Sequence, residues 1–398
     1  MVQSRSDIRV QRIFARKTVH LKIIALCALC MLIYMHLYSK VSLQALANRD
    51  LIEGALNDFR SWKENLLDWW AYTSKWLIND EEFMDNERNI IQNYSSTLVP
   101  RSALYVESNF SNIPKYVENL ALELLNANKT LLTLFTTWKV STEKYTCHNN
   151  TVKNWNLLKP FVQPIMFTNE ADLSGRVASM GWKVLPISKT RKGVPVLKHM
   201  YLDTISVYNS TFYAYANGDI LFTDTLLITL MAILNSSVNK SHPLMIIGRR
   251  TNVDNVTSTD AENQSTLIET TDARGSLFTA WGEDYFITMK NFPWKDIPEV
   301  IVGRRAYDNW LVLDARKRGN VIDATETLLA VHQTTIQGNY EGLKHQDKDY
   351  NHNLLVKMYR HLHYAAGKTS CAEFITRYNV TDVPNIQRRK IDQECFPL

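Results

Sequence analysis

Residues 211–222 read TFYAYANGDILF, an apolar run that passes into the turn Asn217-Gly218-Asp219. The run 211–215 is short and apolar, as expected of a strand covered on both faces. Asp219 follows directly, and an acid just after a buried strand lies at the mouth of a sheet, where it can hold a divalent metal ion. An N-G-D sequence also occurs in ordinary turns, so this segment alone leaves both interpretations open.

Strand-like and helix-like segments alternate before this stretch. We predict further strands at residues 130–135, 162–167 and 183–187, and helices at 116–126, 173–180 and 196–207. Alternation of this kind predicts an α/β fold with a mostly parallel sheet flanked by helices. In such sheets the ligand site lies at the carboxyl ends of the strands, which is where Asp219 is predicted.

Composition excludes several classes of protein. The chain has 398 residues, of which 45% are hydrophobic and 21% charged, with 13 glycines and 11 prolines, so it is neither collagen-like nor wholly disordered. The net charge of +5 comes entirely from residues 1–22, which hold six basic side chains and Asp7. Because the rest of the chain is neutral, it offers no net field for a phosphate backbone, and we predict no nucleic-acid partner.

An apolar run, residues 23–38 (IIALCALCMLIYMHLY), follows the basic tip. It is shorter than the roughly 20 residues of a usual spanning helix, but flanking lysines can reach the membrane surface. The basic flank places residues 1–22 in the cytosol and the rest in the lumen or outside the cell. This predicts a single-pass type II signal anchor. The alternative is a cleaved signal peptide with Ala45-Leu46-Ala47 as its cleavage site.

Sequons and cysteines agree with a luminal chain. Ten N-x-S/T sequons follow the apolar run and none precedes it, and their glycosylation requires the lumen. Three cysteines also follow it and allow at most one disulfide, for which Cys371–Cys395 is the first candidate. Several sequons could be unused, above all Asn209, which adjoins a predicted buried strand. The sequon asparagines are Asn93, Asn109, Asn128, Asn149, Asn209, Asn235, Asn239, Asn255, Asn263 and Asn379.

We predict five segments in the chain. These are a cytosolic tail (1–22), a transmembrane anchor (23–38), a luminal helical stem (39–128), a central α/β domain (129–335) and a C-terminal helical extension (336–398). Aromatic residues recur near helical spacing in the stem, at Trp62, Trp69, Trp70 and Trp76. This stripe would pack on the body, lie on the membrane surface, or join two copies as a homodimer.

Three later segments carry a family resemblance. Residues 303–311 (GRRAYDNWL) lead into a predicted helix that ends before Gly319, and residues 322–325 (IDAT) and 331–333 (VHQ) follow. With the N-G-D turn, this order resembles the D-x-D and E-D-x-x-L…G…H segments of family-two-like glycosyltransferases. It is closer still to a poorly characterised group of GT-A-like proteins with G-R-x-x-x-D-N-W-L, I-D-A-T and H-Q segments. The resemblance covers about residues 129–335.

The resemblance implies a GT-A fold, which is a Rossmann-like, mostly parallel sheet that binds a nucleotide-sugar donor. Asp219 and His332 would be the ligands of Mn²⁺ or Mg²⁺. Asn217 replaces the first Asp of the motif, and with no charge it would contact metal-bound water or the donor's ribose. The remaining donor-binding residues would follow the first two strands or precede the helix at 196–207. They are Thr136, Thr137, Asn169, Glu170, Arg191 and Lys192.

The same resemblance assigns the acceptor side of the site. Asp308 matches the acid of the E-D motif, which takes the proton from the acceptor hydroxyl in inverting enzymes. Tyr307 replaces the preceding Glu, and a helix N-cap is an equal alternative for Asp308. Asp284 is the competing base. The predicted acceptor-binding residues are Trp281, Glu283, Asn309 and Trp310.

The sequence thus predicts a glycosyltransferase of the Golgi or another secretory-pathway membrane. It would move a sugar from a nucleoside-diphosphate donor to a hydroxyl on a glycan, protein or lipid. The chain has no P-loop, H-E-x-x-H or G-x-S-x-G motif to suggest other chemistry. One alternative is a catalytically inactive GT-A-like protein that binds a glycan or a partner, because Asn217 and Tyr307 depart from the motifs. The other is a structural cell-surface glycoprotein.

Overall fold

The computed structural model describes residues 115–127, 129–335, 345–359 and 361–398. The predicted cytosolic tail and anchor, and the stem up to residue 114, lie outside these ranges. Among the described residues, no helix is both long enough and apolar enough to cross a membrane.

Nine α-helices occur in the described ranges. The predicted helices at 116–126, 173–180 and 196–207 are confirmed with slightly different ends. In chain order the nine are α1 (Lys115–Asn126), α2 (Tyr145–Asn156), α3 (Ala171–Ser179), α4 (Leu197–Val207), α5 (Thr225–Asn235), α6 (Ser258–Glu262), α7 (Gln264–Arg274), α8 (Tyr307–Arg318) and α9 (Tyr350–Met358).

The strands include all four that the sequence predicts. They are β1 (Thr130–Thr136), β2 (Val162–Phe167), β3 (Lys183–Leu185), β4 (Thr190–Arg191), β5 (Val194–Pro195), β6 (Ser210–Ala216), β7 (Ile220–Phe222), β8 (Leu244–Ile247), β9 (Thr251–Asp254), β10 (Ser276–Leu277), β11 (Tyr285–Met289), β12 (Asn320–Asp323), β13 (Ala330–Thr334), β14 (Phe374–Tyr378) and β15 (Pro384–Arg388).

Nine of these strands form one mixed sheet, in the order β15-β14-β12-β8-β11-β6-β1-β2-β3. All run in one direction except β11 and β15, which are antiparallel to their neighbours. A second sheet has the order β10-β9-β13-β7, and β4 and β5 form a separate hairpin. The prediction of an α/β fold with a mostly parallel sheet is confirmed.

The large sheet is buried on both faces. Along β6, Phe212 and Ala214 belong to one hydrophobic cluster, whereas Tyr213 and Tyr215 belong to the other. Successive side chains of a strand point to opposite faces, so the two clusters are the two sides of one sheet. Double burial explains why β1 and β6 are continuous apolar runs in the sequence.

The C-terminal region differs from the helical extension predicted at 336–398. It contributes the short helix α9 and two strands, β14 and β15, that extend the large sheet beyond β12. The candidate disulfide Cys371–Cys395 is present, and Cys147 is a buried free thiol. At the other boundary, α1 lies within the predicted stem but buries Val117 and Leu124 in the main hydrophobic cluster.

Candidate functional site

The candidate site residues lie at the end of the large sheet where most of its parallel strands terminate, which we call the carboxyl edge. The parallel strands β1, β2, β6 and β8 end there, and the antiparallel strand β11 begins there, with Tyr285 opposite Ala216. Residues just after β6 therefore meet residues just before β11. This pairing brings Asn217 and Asp219 near Asp284, as expected for ligand sites of open α/β sheets.

Asp219 and His332 are brought together by the second sheet. β13 pairs with β7 so that His332 lies opposite Ile220, and the His332 Nε2 atom lies 3.5 Å from Asp219 Oδ2. The His332 side chain is 7% exposed and that of Asp219 16%. Asp219 Oδ1 and His332 Nδ1 are buried and have no hydrogen-bond partner in the structure. Buried polar atoms are usually paired, so the two orphaned atoms suit a bound ligand.

Three neighbouring side chains lower the pKa of Asp219. Burial by itself would raise the pKa of Asp219, but His332, Lys144 and Arg250 together hold it well below its usual value of 3.8. The Lys144 Nζ atom lies 3.7 Å from Asp219 Oδ2. Asp219 is therefore a carboxylate over the whole physiological pH range.

These residues fit a divalent metal ion with two protein ligands. A carboxylate oxygen and an imidazole nitrogen already lie 3.5 Å apart, and each side chain keeps one atom without a partner. Within the described ranges, no group of three or more His, Cys, Asp or Glu side chains is placed to hold a metal. A Mg²⁺-like ion commonly takes only one or two protein ligands and completes its shell with water and substrate phosphates.

Asn217 is committed to structural hydrogen bonds. Its side-chain Nδ2 donates to Asp284 Oδ1 at 2.6 Å, and its Oδ1 accepts from the Tyr215 hydroxyl at 3.0 Å. Its backbone N–H also donates to the Asp284 carbonyl at 2.9 Å. The residue that replaces the first motif Asp thus joins β6 to β11. It leaves Asp219 as the acid of this turn that can bind a ligand.

Asp284 has a buried counter-charge. Arg250 follows β8, is 6% exposed, and forms an ion pair with Asp284 Oδ2. The Arg250 guanidinium also donates to Asn252 and lies 4.1 Å from the ring centroid of Phe278. Because both Asp284 oxygens are bonded, to Asn217 and Arg250, this carboxylate is poorly placed to accept a proton from a substrate.

Asp308 lies in the first turn of α8. The N-cap residue is Ala306, in the left-handed region at φ 80°, so the N-cap alternative for Asp308 is wrong. Asp308 is partly buried, and its Oδ1 accepts a hydrogen bond from the Asn309 backbone N–H at 3.0 Å. Burial, aided by the charge of Asp284, raises the pKa of Asp308 to about 7. A carboxylate with such a pKa is well suited to general-base catalysis near neutral pH.

The predicted acceptor residues separate into two groups. Glu283 is 3% exposed, and its Oε2 accepts from Asn309 Nδ2 at 3.1 Å. Trp281 is 44% exposed, with its carbonyl accepting from the same Nδ2 at 3.2 Å. The structure therefore brings Trp281, Glu283 and Asn309 together beside Asp308. Trp310 is 2% exposed and packs against Tyr359 with ring centroids 5.6 Å apart, so its side chain is a core residue and faces no acceptor.

The residues predicted to bind the nucleotide-sugar donor differ in burial and in hydrogen bonding. Thr136 at the end of β1 is fully buried, and its Oγ1 has no partner. Thr137 donates to the Phe167 carbonyl at 2.8 Å, and Asn169 accepts from the Ile187 N–H at 2.8 Å. These bonds join neighbouring strand ends and shape the edge. Glu170 is exposed at the N-cap of α3 without a capping bond.

Arg191 and Lys192 have partners elsewhere. Arg191 ends β4 and Lys192 begins the turn to β5; Arg191 pairs with Glu299 at 2.5 Å and Lys192 lies 3.8 Å from Asp347. The side chains that lower the pKa of Asp219 are instead His332, Lys144 and Arg250.

Sequence reasoning missed three residues of this site. Arg250 follows the apolar run LMII of β8, so the rule that flagged Asp219 would also have found it. Lys144 precedes a helix with no apolar periodicity and gave no signal. Trp138 stacks on His148 with centroids 4.4 Å apart and packs against Gly218. Burial lowers the pKa of His148 to about 4, so this stacked ring is neutral.

No protein-family model and no curated protein sequence matches the chain. Among solved structures, it is similar to a mycobacterial protein at 9% identity, over 68% of this chain and 87% of that one, with a TM-score of 0.36. The CMP:2-keto-3-deoxy-manno-octonic acid synthetase complexed with CTP aligns at 8% identity, over 53% and 92%, with a TM-score of 0.31.

Glucosyl-3-phosphoglycerate synthase from Mycobacterium tuberculosis, in complex with Mg²⁺ and uridine-diphosphate, aligns at 12% identity over 32% of this chain. The match spans 47% of that structure, about half its length, with a TM-score of 0.23. With TM-scores below 0.5, these likenesses assign neither activity nor site residues to this chain.

Proposed function

We propose that the protein is a glycosyltransferase of GT-A type. It moves a sugar from a nucleoside-diphosphate sugar to a hydroxyl group on a glycan, protein or lipid. The observation that carries the proposal is the Asp219–His332 pair at the carboxyl edge of the sheet. The two side chains lie 3.5 Å apart, and each holds a buried polar atom without a partner. Buried polar atoms are usually paired, so two partnerless atoms on adjacent side chains support a ligand site.

Asp219 and His332 would hold a divalent ion, Mn²⁺ or Mg²⁺, which would neutralise charge on the leaving diphosphate. Lys144, already 3.7 Å from Asp219, adds a cation on the same side of the site. The diphosphate would lie along the strand ends near Thr136, where a buried hydroxyl has no partner. Placed charges of this kind stabilise a developing negative charge more strongly than a diffuse field does.

Asp308 is a better candidate for the general base than Asp284. It has one backbone hydrogen bond and a pKa raised to about 7, whereas Asp284 is held by Arg250 and Asn217. In a direct displacement, Asp308 takes the proton of the acceptor hydroxyl, and the oxygen bonds to the anomeric carbon. The bond from that carbon to the diphosphate breaks, and the diphosphate leaves with the electron pair. The exposed ring of Trp281 offers a face on which the acceptor sugar would stack.

The direct test uses the purified luminal chain and a panel of nucleoside-diphosphate sugars. Binding of the true donor with Mn²⁺ raises the melting temperature, since a ligand that binds only the folded state stabilises it. Slow hydrolysis of the same donor, dependent on Mn²⁺, reports turnover without a known acceptor. We expect Asp219→Asn to abolish both signals and Asp308→Asn to abolish turnover while keeping donor binding.

Asp254→Asn is the matched control, because Asp254 is an exposed carboxylate at the end of β9. It should bind and hydrolyse the donor like the unmodified protein. Donor binding without turnover for every sugar and acceptor offered would favour the inactive GT-A-like alternative. If no donor and no metal binds, both the glycosyltransferase function and the inactive GT-A-like alternative are ruled out.

We further propose that this body lies in the lumen of the Golgi or another secretory-pathway compartment, behind a type II anchor at residues 23–38. The sequons support it. Of the seven sequon asparagines in the described ranges, six are exposed, including Asn209. Asn263 accepts from the Thr266 N–H through its Oδ1 atom at 3.0 Å, which leaves the Nδ2 atom free for a glycan.

Expression of the full chain in secretory cells tests this location. Endoglycosidase treatment should increase gel mobility, and Asn263→Gln should remove one step of the shift. A chain with no endoglycosidase-sensitive shift would contradict the luminal location. Uniform plasma-membrane staining would instead favour a structural surface glycoprotein.

A further inference from the structure

Two neighbouring carboxyl groups before β11 have opposite surroundings. Asp284 faces the Arg250 guanidinium, which supplies a full positive charge. Glu283 is also buried, at 3% exposure, but the side-chain donors bonded to it are neutral. They are the Asn309 amide and the Thr369 hydroxyl, at 3.1 and 2.9 Å. A buried carboxyl group without a counter-charge favours its protonated form.

Asn309 connects Glu283 to the candidate base. Its side-chain Nδ2 donates to Glu283, and its backbone N–H donates to Asp308 Oδ1 at 3.0 Å. The same Nδ2 also lies within hydrogen-bond distance of the Trp281 and Gly367 carbonyls, at 3.2 and 3.4 Å. A change at Glu283 is therefore transmitted to Asp308 through one residue.

The second donor to Glu283 comes from the C-terminal region. Thr369 is fully buried, and its backbone N–H donates to the Ala280 carbonyl at 2.9 Å. Arg389 of the β15 region donates to the Thr369 carbonyl at 3.0 Å, and Cys371 is joined to Cys395 by the disulfide. The segment that follows α9 is thereby fixed against the acceptor side of the site. It lies outside the part of the chain that the sequence resemblance covers.

The charges that face Glu283 are anionic. Besides burial, the largest influence on it is the negative charge of Asp308, followed by the hydrogen bond from Thr369 and the charge of Asp284. The negative charge of Asp284 raises the pKa of Asp308, and the positive charge of Arg250 lowers it. Burial and the charges of Asp308 and Asp284 raise the pKa of Glu283 well above its ordinary value of 4.5, and the hydrogen bond from Thr369 opposes them.

We propose that Glu283 is a proton-bearing positioning residue, which holds Asn309 and the C-terminal segment in place so that Asp308 alone carries the negative charge of this carboxyl pair. The role rests on the proposed function in one respect, that Asp308 is the base. Two adjacent carboxyl groups with different environments commonly divide the acid and base roles of a site in this way. The protonation of Glu283 itself is measurable without any turnover.

The test compares the unmodified chain with Glu283→Gln, which keeps the size and neutral charge of a protonated Glu. The free energy of unfolding is measured in denaturant at a series of pH values. A raised pKa in the folded state means that folding is favoured by protonation, so stability is full below pH 4.5 and falls as the pH rises above it. Relative to Glu283→Gln, the folding equilibrium constant should fall up to about tenfold per pH unit in this window.

Glu118→Gln is the matched control, because Glu118 is an exposed residue of α1, and it measures the effect of the same substitution at an exposed site. A difference for Glu283→Gln that does not vary with pH would overturn the proposal. Infrared spectroscopy gives a second readout that does not depend on refolding. The comparison is made in Asp308→Asn, because Asp308 with its pKa of about 7 would itself be partly protonated at neutral pH. The carbonyl band of a protonated carboxyl group should be present in Asp308→Asn at neutral pH and absent when Glu283→Gln is added, and its absence from Asp308→Asn would equally overturn the proposal.

Activity separates this inference from the proposed function. If a donor is turned over, Glu283→Ala and Thr369→Val should lower kcat more than they raise KM, and Glu283→Gln should lower kcat less than Glu283→Ala does. Loss of all activity in Glu283→Gln would identify an ionised Glu283 as the base and overturn the positioning role. If no donor is turned over by any form, the glycosyltransferase function fails while the pH and infrared results still decide the protonation of Glu283.

Discussion

The Asn217 side chain donates a 2.6 Å hydrogen bond to the Asp284 carboxylate, which Arg250 holds from the other side. This relationship explains why an amide occupies the position of the first motif acid. A carboxylate at residue 217 would face Asp284 directly, and two anions at hydrogen-bond distance in a buried site cannot both stay ionised. The amide at residue 217 is thus a consequence of how β6 meets β11.

Asn217→Asp should therefore weaken the protein and should not improve metal binding. The change replaces a hydrogen-bond donor with a like charge, and we expect a loss of about 1–3 kcal/mol in the free energy of unfolding at neutral pH. Urea denaturation measures the loss, and titration with Mn²⁺ measures metal affinity. The loss should shrink at acid pH, where the new carboxyl group is protonated. Tighter Mn²⁺ binding with unchanged stability would show that Asn217 is free to act as a metal ligand.

Gly218 is required by the ring of Trp138. A Cβ atom at residue 218 would lie 2.5 Å from Trp138 Cε3, closer than atoms of this kind approach. Gly218→Ala should push the ring away from His148, lower stability by roughly 1–3 kcal/mol, and change the near-ultraviolet dichroism of the tryptophans. Donor affinity should fall as well, because the displaced ring lines the Asn217–Asp219 turn.

Gly175→Ala is the control for that substitution. Gly175 is an exposed residue within α3, and an added Cβ atom meets nothing within 4 Å. Replacing a helical glycine with alanine should stabilise the protein by about 0.5–1 kcal/mol. If both glycine variants destabilise alike, steric contact with Trp138 is not the reason for Gly218.

The sequence predicted four strands of the large sheet and four of the helices, and it missed helix α2 and the strands β8, β11, β12, β14 and β15. β1, β2 and β6 are apolar runs because both of their faces are buried, and such runs are visible without any partner. Helix α2 was missed because its buried face is polar. Thr151 donates to the Gly218 carbonyl at 2.8 Å, and Asn154 Oδ1 accepts from the Phe222 N–H at 2.8 Å. Polar side chains that support a loop leave no apolar period in the sequence.

The prediction of site residues likewise depended on whether a local sequence pattern marks the residue. Strand ends and motif order predicted Asp219, Asp284 and Asp308, and the structure brings these three acids to the same end of the sheet. Trp310 was misassigned because its neighbour in sequence faces the site, while its own side chain lies on the buried side of α8. Lys144 reaches Asp219 only through tertiary packing, which no local pattern records.

Arg250 should be among the most sensitive residues of the fold. Its removal leaves the Asp284 charge buried with only the Asn217 amide, and breaking a buried ion pair from one side costs about 3–5 kcal/mol. We expect Arg250→Met to show this loss in denaturant unfolding. Arg250→Met combined with Asp284→Asn should recover much of it, because the unpaired charge is then gone. Equal losses in the single and double variants would mean that the contact of Arg250 with Phe278, and not its charge, stabilises the edge.

Asp308 and Asp219 should give opposite pH dependences of stability. The pKa of Asp308 is raised to about 7, so its contribution to stability is complete below 3.8 and is lost as the pH rises through 7. Asp308→Asn should therefore gain roughly 1–3 kcal/mol relative to the unmodified chain between acid and neutral pH. The pKa of Asp219 is lowered, so its contribution is complete above 3.8 and is lost only in strong acid. Asp219→Asn should accordingly lose stability relative to the unmodified chain as the pH rises from strong acid to about 4.

In the activity assay, turnover should fall as the pH drops below about 7, because Asp308 must be ionised to accept a proton. An acid limb near pH 4 would instead identify a base whose pKa is not raised by burial.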